Sequence, residues 1–178
     1  MIQVAITNEQ TAVAVDEERL RTAVRAVLED AGRTSAEISV AVVDDPTIHH
    51  LNRKYLDHDY ATDVLSFLLD DEQDHLAGDV VVSGDTALAA AESFAWHAVD
   101  ELLLYVVHGT LHLVGYDDKT PEAVAHMRTQ ETNVLARFDL HPSYESTGEM
   151  RQETDGPHRH TPPADQKASD ISVGDIST

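Results

Sequence analysis

Apolar and polar positions alternate with two periods along the first part of the chain, one typical of strands and the other of helices. Residues 2–6 and 38–43 alternate or run apolar, which predicts two β-strands. Between them, residues 17–31 carry apolar side chains at helical spacing and stop at Gly32, a typical helix end. A shorter helix through Tyr55 follows the second strand. The predicted order is therefore β-α-β-α.

The pattern continues with a hairpin and then turns helical. Residues 64–69 and 78–83 read as two strands that pair across an exposed acidic turn at residues 70–74. Three helices are predicted after them: an Ala-rich one at 86–95, an apolar one at 98–113 and a closing one at about 121–138. The apolar helix carries so little polar surface that it should be buried at the centre. We expect an α/β (α+β) fold: one small domain with a mixed, roughly four-stranded sheet packed on helices.

The chain divides at about residue 140. Residues 1–140 hold the periodic segments and are predicted to form the domain. Residues 141–178 are rich in Pro, Ser, Thr and Asp without an apolar period, which predicts a disordered acidic tail.

Composition excludes several classes of protein. The chain has no cysteine, so a metal site must be built from histidine and carboxylate. The N-terminus has no signal-peptide pattern and no apolar run is long enough to cross a membrane, which predicts a soluble cytoplasmic protein without a membrane partner. The formal net charge of −21 lies mainly in the predicted domain and counts against binding of free nucleic acid. Any RNA substrate would need a metal ion or a protein partner to bring it in.

The candidate metal-binding residues lie at the end of the predicted central helix. His108 and His112 are four residues apart, so both lie on one helical face and can reach one ion. Gly115 then turns the chain back, and Asp118 can return as a third ligand. Three ligands leave a position open for water, as in catalytic zinc sites. The plainer alternative is two packed or capping histidines, and Asp117 is an alternative ligand.

This spacing also occurs in metalloproteases of the pattern H-E-x-x-H-x-x-G-x-x-H. Those enzymes need Glu directly after the first His as the general base, and Gly109 stands at that position here. A peptide-cleaving metalloenzyme is therefore a weaker alternative.

Residues 108–118 resemble the motif of the YbeY family of endoribonucleases, H-G-x-L-H-L-x-G-Y-D-H, and depart from it only at the last position. The resemblance covers residues 1 to about 140 and includes the Leu51-Asn52 pair, residues 62–67 and Gly78-Asp79. It implies a small α/β domain that cleaves single-stranded RNA in ribosomal RNA maturation and ribosome quality control. The implied partners are ribosomal RNA and the small ribosomal subunit or one of its proteins.

The family resemblance also implies a metal ion, usually zinc, held by three histidines. Carried over, His108 and His112 are two ligands, and Asp118 replaces the third histidine. We expect one Zn²⁺ or another divalent ion per chain, with the catalytic role of all three residues exerted through it. An anionic ligand should make the ion a milder Lewis acid and favour harder metals.

A second departure concerns the substrate. The family usually has an arginine shortly after the Leu-Asn pair, where it is proposed to contact phosphate, and Leu56 stands there in this chain. Arg53 and Lys54 are candidate substrate-binding residues, although two basic residues on an amphipathic helix are typical of a solvated face. A ribosome-associated binding protein with a structural metal is the third alternative.

Overall fold

The structure is a computed structural model that describes residues 1–72, 75–94, 96–142 and 144, and the backbone of residues 158–159. The strands are β1 (Ile2–Asn8), β2 (Ser35–Val43), β3 (Val64–Glu72), β4 (His75–Ser83) and the two-residue β5 (His158–Arg159). The helices are α1 (Glu17–Asp30), α2 (Asp45–Leu56), α3 (Gly84–Phe94), α4 (Ala98–Leu113) and α5 (Pro121–Leu135), which continues as a 3₁₀ turn (Ala136–Phe138). The tail predicted for residues 141–178 lies almost wholly outside the described residues and stays a prediction.

The strands form one mixed sheet in the order β1-β2-β4-β3-β5. β1, β2 and β4 run parallel, and β3 pairs antiparallel with β4 as the predicted hairpin. β5 adds two parallel pairs to the outer edge of β3. The α/β fold with four main strands and five helices is confirmed. None of the helices in the described ranges is long and apolar enough to span a membrane.

The acidic turn predicted at residues 70–74 is wrong for its first three residues. Asp70 to Glu72 belong to β3 and pair with β4, whose start at His75 is earlier than the sequence pattern predicted. A register shift between Leu68 and Asp70 precedes these pairs, and Arg33 Nη1 lies 2.7 Å from Asp71 Oδ1. Backbone pairing with a long neighbouring strand therefore overrides the turn-like composition.

α4 lies at the centre of the domain, as its apolar composition predicted. All but three of its 16 residues are buried. Two glycines allow the helix to approach the sheet closely: a Cβ on Gly78 would stand 2.9 Å from Leu113 Cδ1, and one on Gly109 would stand 2.7 Å from Val80 Cγ1. The helix is thus seated directly on β3 and β4, which fixes the position of its last two turns.

Among the residues that the structure describes, the other face of the sheet is covered only partly. α2 packs there through a small apolar cluster that contains Ile48 and Leu65. Beside it, a groove of about 390 Å³ is left open. Its lining is mostly apolar and includes Tyr55, Phe67 and Leu69, with Asp79 as a charged member.

Candidate metal centre

The last two turns of α4 bring two imidazole rings together. His108 and His112 have ring centroids 4.6 Å apart at 85°, and their Nε2 atoms are 3.0 Å apart. The ring of His112 is almost entirely buried, whereas His108 lies at the edge of the core. The helical spacing predicted from the sequence therefore places one nitrogen of each ring at a common point.

The turn after α4 supplies the third group. Gly115 has a φ of +100°, in the left-handed region, and its N–H donates to the carbonyl of His112 at 3.0 Å. The N–H of Tyr116 donates to the carbonyl of Leu111, also at 3.0 Å, which completes a Schellman motif. The chain then runs back along the helix, so that Asp118 Oδ2 lies 3.5 Å from Nε2 of each histidine.

The three donor atoms form a triangle of a size that suits a metal ion. Its edges are 3.0, 3.5 and 3.5 Å. Bonds of about 2.0–2.1 Å in a tetrahedral zinc site give ligand–ligand distances of roughly 3.3–3.4 Å. His108, His112 and Asp118 are the metal-ligand group among the residues that the structure describes. Donor chemistry and spacing both fit a divalent ion held by these three ligands.

The other ring nitrogen of each histidine, Nδ1, also has a hydrogen-bond partner. His108 Nδ1 lies 2.6 Å from Glu131 Oε1, and His112 Nδ1 lies 3.0 Å from the carbonyl oxygen of Tyr116. Both partners accept, so each Nδ1 carries the proton and each Nε2 presents its lone pair to the centre when a metal is bound. The Schellman turn thus performs two tasks: it returns Asp118, and it aims the Tyr116 carbonyl at His112.

Charges inside this site are strongly coupled. Burial alone would lower the pKa of His108, but its hydrogen bonds to Asp118 and Glu131, helped by nearby negative charge, raise the pKa to about 10. Burial would raise the pKa of Asp118, yet the two histidines hold it well below its usual range. Burial raises the pKa of Asp63, although the nearby His108 works against this shift. The site therefore favours a cation among its carboxylates.

Asp117 and Ser66 have structural contacts. Asp117 Oδ1 accepts the backbone N–H of Asp118 at 2.9 Å, and the ligand group contains Asp118 instead of its neighbour. Ser66 Oγ donates to the carbonyl of Gly109 at 2.9 Å, which ties β3 to α4. The first arrangement agrees with the sequence interpretation, which took Asp118 as the third ligand and Asp117 as the alternative.

The candidate substrate residues lie elsewhere, on the last turn of α2. Arg53 is exposed, with Nη1 3.9 Å from Asp59 Oδ1, and Lys54 Nζ lies 4.8 Å from the centroid of the Tyr55 ring. Within the described part of the chain, these contacts hold both residues at α2 and not at the triad. Leu56 packs against the small apolar cluster on this face. Substrate binding by Arg53 and Lys54 stays a prediction.

Glu131 is the residue that the sequence interpretation missed. It is almost fully buried on α5, on the same helical face as Met127 and Val134. A glutamate at a core position of a helix is a signal that could have identified it, because a buried carboxylate needs a charged or hydrogen-bonding partner. That partner is on another helix, and pattern along the chain does not reveal it.

Gly109 explains why the protease alternative is weak. A Cβ at this position would lie 2.7 Å from Val80 Cγ1 and 2.8 Å from Val64 Cγ2, so a glutamate would be forced into the sheet. The residue after His108 faces packed strands, away from the ligand triangle. The missing general base is thus a consequence of how α4 is seated.

Comparison with known proteins identifies the family. The sequence model of the endoribonuclease YbeY family matches residues 5–139. Endoribonuclease YbeY of Rhodopirellula baltica is 38% identical over 148 residues, which cover 82% of this chain and 73% of the relative. The protein of that name from Carboxydothermus hydrogenoformans is 40% identical over 139 residues, covering 76% and 96%.

A solved structure supports the fold. The solution structure of a Thermotoga maritima protein matches with a TM-score of 0.55 at 23% identity, and the match covers 84% of this chain and all of that one. The resemblance inferred from the motif at residues 108–118 is confirmed by these matches, and the protease and structural-metal alternatives are not favoured. The chain belongs to the endoribonuclease YbeY family.

Proposed function

We propose that this metal-dependent endoribonuclease hydrolyses phosphodiester bonds of single-stranded RNA during ribosomal RNA maturation and ribosome quality control. One divalent ion, zinc by family resemblance, would be held by His108, His112 and Asp118. The observation that carries the metal site is the triangle of donor atoms with edges of 3.0, 3.5 and 3.5 Å. Each member is held by neighbouring groups of the fold, which supports a site that needs little rearrangement to bind an ion.

An ion held by His108, His112 and Asp118 would supply Lewis acidity toward a phosphoryl oxygen and toward a bound water molecule. The chain's own residues prepare the site for that chemistry. In the neutral imidazoles that bind a metal, Glu131 and the Tyr116 carbonyl would keep the single proton of each ring on Nδ1, away from the ligand face. Burial would raise the pKa of the Asp118 carboxyl group, but hydrogen bonds from the two histidines hold this pKa below its usual range and favour the charged form. The packed contacts of Gly109 leave no room for a glutamate at the position directly after the first histidine.

Asp118 distinguishes this site from the family pattern. A carboxylate ligand neutralises part of the ion's charge, which should make the ion a milder acid and favour harder metals such as Mn²⁺. We expect Asp118→His to raise the preference for Zn²⁺ over Mn²⁺ and to move the rising limb of the pH–rate profile to lower pH. Competition between the two metals during reconstitution measures the first effect. An unchanged metal preference in the variant would contradict this role of the carboxylate.

We expect that RNA reaches the site only when a partner protein recruits the enzyme. The net charge of −21 disfavours binding of free RNA, since phosphates are attracted by basic surfaces. Arg53 and Lys54 are exposed cations that could contact the phosphates of a bound strand. A protein of the small ribosomal subunit would provide the remaining affinity by recruiting the enzyme. We propose that the protein acts in the cytoplasm.

Purified full-length protein offers the direct test. Its metal content should be measured, and cleavage of single-stranded RNA and of an unfolded protein should then be compared with and without a chelator. We expect RNA cleavage that the chelator abolishes and one equivalent of divalent ion restores. Cleavage of the protein substrate alone would support the metalloprotease alternative. Tightly held metal without turnover of either substrate would support a structural metal in a binding protein.

A further inference from the structure

The residue Tyr144 reaches back to the metal centre from beyond the family domain. It follows α5 and lies outside residues 5–139, the range that the family model matches. Its hydroxyl donates to Oε2 of Glu131. The other oxygen of the same carboxylate, Oε1, lies 2.6 Å from His108 Nδ1. One buried carboxylate thus joins the segment after α5 to a metal ligand.

The aromatic ring of Tyr144, like its hydroxyl group, contacts a residue of α5. The guanidinium carbon of Arg128 lies 5.0 Å from the ring centroid, within the range of a cation–π contact. Arg128 and Glu131 are three residues apart on α5, so they share a helical face. Tyr144 is therefore fixed at both ends against one face of α5, and its hydroxyl is aimed at the carboxylate.

From this geometry we infer that Tyr144 is a positioning residue for the metal centre. Its hydroxyl fixes the plane of the Glu131 carboxylate, and the carboxylate in turn fixes the orientation of the His108 ring, so that Nε2 faces the ion. A carboxylate that accepts at only one oxygen can rotate, whereas donors at both oxygens hold it still. The inference rests on the proposed metal site, and it makes the first residues after the domain part of that site.

Two substitutions separate the steps of this chain of contacts. Glu131→Gln removes the charge that orients His108, and loss of such a partner typically weakens metal binding by about 10–100-fold. Tyr144→Phe removes only the hydroxyl and keeps the ring over Arg128. Loss of one hydrogen bond predicts about 3–10-fold weaker metal binding. Because Tyr144 acts through Glu131, the double variant should bind metal no more weakly than Glu131→Gln alone.

The experiment measures Zn²⁺ and Co²⁺ affinity of the full-length protein by competition with a chromophoric chelator. Tyr60→Phe serves as the matched control, because its hydroxyl lies 3.3 Å from His58 Nδ1 in another loop. The Co²⁺ absorption spectrum should change in Tyr144→Phe and Glu131→Gln and stay as in the wild type in the control. Circular dichroism of the ion-free variants confirms that each remains folded.

Three results would overturn the inference. If the wild-type protein binds neither ion, the proposed metal site fails and the role of Tyr144 fails with it. If the wild type binds metal and Tyr144→Phe binds it equally well with the same Co²⁺ spectrum, Tyr144 has no positioning role, while the proposed function stands. If Tyr144→Phe weakens binding by the same factor in the Glu131→Gln background, Tyr144 does not act through Glu131.

Discussion

Polar side chains are buried and hydrogen-bonded on one face of the sheet and exposed to solvent on the other. On the face covered by α4, both imidazoles are held at two nitrogens, and their partners Asp118 and Glu131 are largely buried. On the face covered by α2, the Arg53 side chain is 63% exposed and its Nη1 lies 3.9 Å from Asp59 Oδ1. The first face thus carries a buried cluster of hydrogen-bonded side chains. The second carries charged side chains that are exposed to solvent beside an open apolar groove.

This difference separates what the protein does with a metal from what it does with RNA. Burying unpaired polar groups costs several kcal/mol, so a buried cluster of this kind persists only with its partners in place. Exposed ion pairs contribute about 0–1 kcal/mol and hold no fixed geometry. The candidate metal site therefore has a fixed arrangement without an ion, while the proposed substrate contacts of α2 would form only when RNA binds.

The largest expected effect comes from removing the buried ligand. His112→Ala deletes one of two nitrogen ligands and should abolish both stoichiometric metal and RNA cleavage. Metal analysis after dialysis and a gel assay of RNA cleavage measure the two losses. His126→Ala, on the exposed side of α5, is the matched control and should keep both. Cleavage by the His112→Ala variant at the wild-type rate would refute the assignment of the triad.

The next largest effect is the pH dependence of metal binding. Although burial opposes it, hydrogen bonds to Asp118 and Glu131 raise the pKa of His108 to about 10 in the ion-free fold. A metal must then displace that proton, so apparent affinity should rise by roughly tenfold per pH unit between about pH 7 and 9. Chelator competition across this range measures the slope. A flat profile would show that His108 is already neutral or does not bind the ion.

The same shift has a consequence for folding stability. A raised folded-state pKa means that protonated His108 stabilises the ion-free fold fully below its ordinary pKa of 6.5. This contribution is lost as the pH rises through about 10. Urea denaturation of the ion-free protein should therefore show a stability that declines over this window, and His108→Gln should reduce the decline.

A smaller effect is expected where α4 meets the sheet. Gly109→Ala places a methyl group 2.7 Å from Val80 Cγ1, and overpacking of this kind typically costs about 1–3 kcal/mol. Urea denaturation should show this loss in the free energy of unfolding. In a Val80→Ala background the cost should shrink, because room is made for the new methyl group. An equal cost in both backgrounds would mean that close packing on Val80 is not the cause.

The smallest effect belongs to the α2 face. Replacing Arg53 and Lys54 together by Ala should raise KM for RNA by about 2–10-fold and lower the salt dependence of binding, with kcat and metal content unchanged. Arg25→Ala on α1 is the control and should alter none of these quantities. If the double variant keeps the wild-type KM and salt dependence, these two residues form only a solvated face.

Much of the fold could be predicted from pattern along the chain. The five helices, the hairpin and the buried central helix follow from apolar periodicity, and helix geometry with Gly115 places three ligand candidates together. The strand order could not be predicted, because it depends on where β4 pairs with β2 across the sheet. The turn predicted at Asp70 to Glu72 was wrong for a related reason: these residues pair with β4, and this pairing outweighed their turn-like composition.

The support around the metal ligands was also beyond the reach of the sequence. Glu131 and Tyr144 lie 23 and 13 residues from their partners His108 and Glu131, and no local period connects them. His112 Nδ1 contacts the backbone carbonyl of Tyr116, so the type of side chain at position 116 does not predict this contact. The pattern thus identified the candidate ligands, whereas the packing of α5 against α4 revealed the groups that contact them.

Stepwise titration of a divalent ion into the ion-free full-length protein tests the central claim most directly. Cleavage of single-stranded RNA and occupancy of the site should be followed at each addition. We predict that both rise together and level off at one equivalent, with neither appearing in His112→Ala. Full cleavage activity before any ion is added would contradict the claim that His108, His112 and Asp118 act through a bound metal.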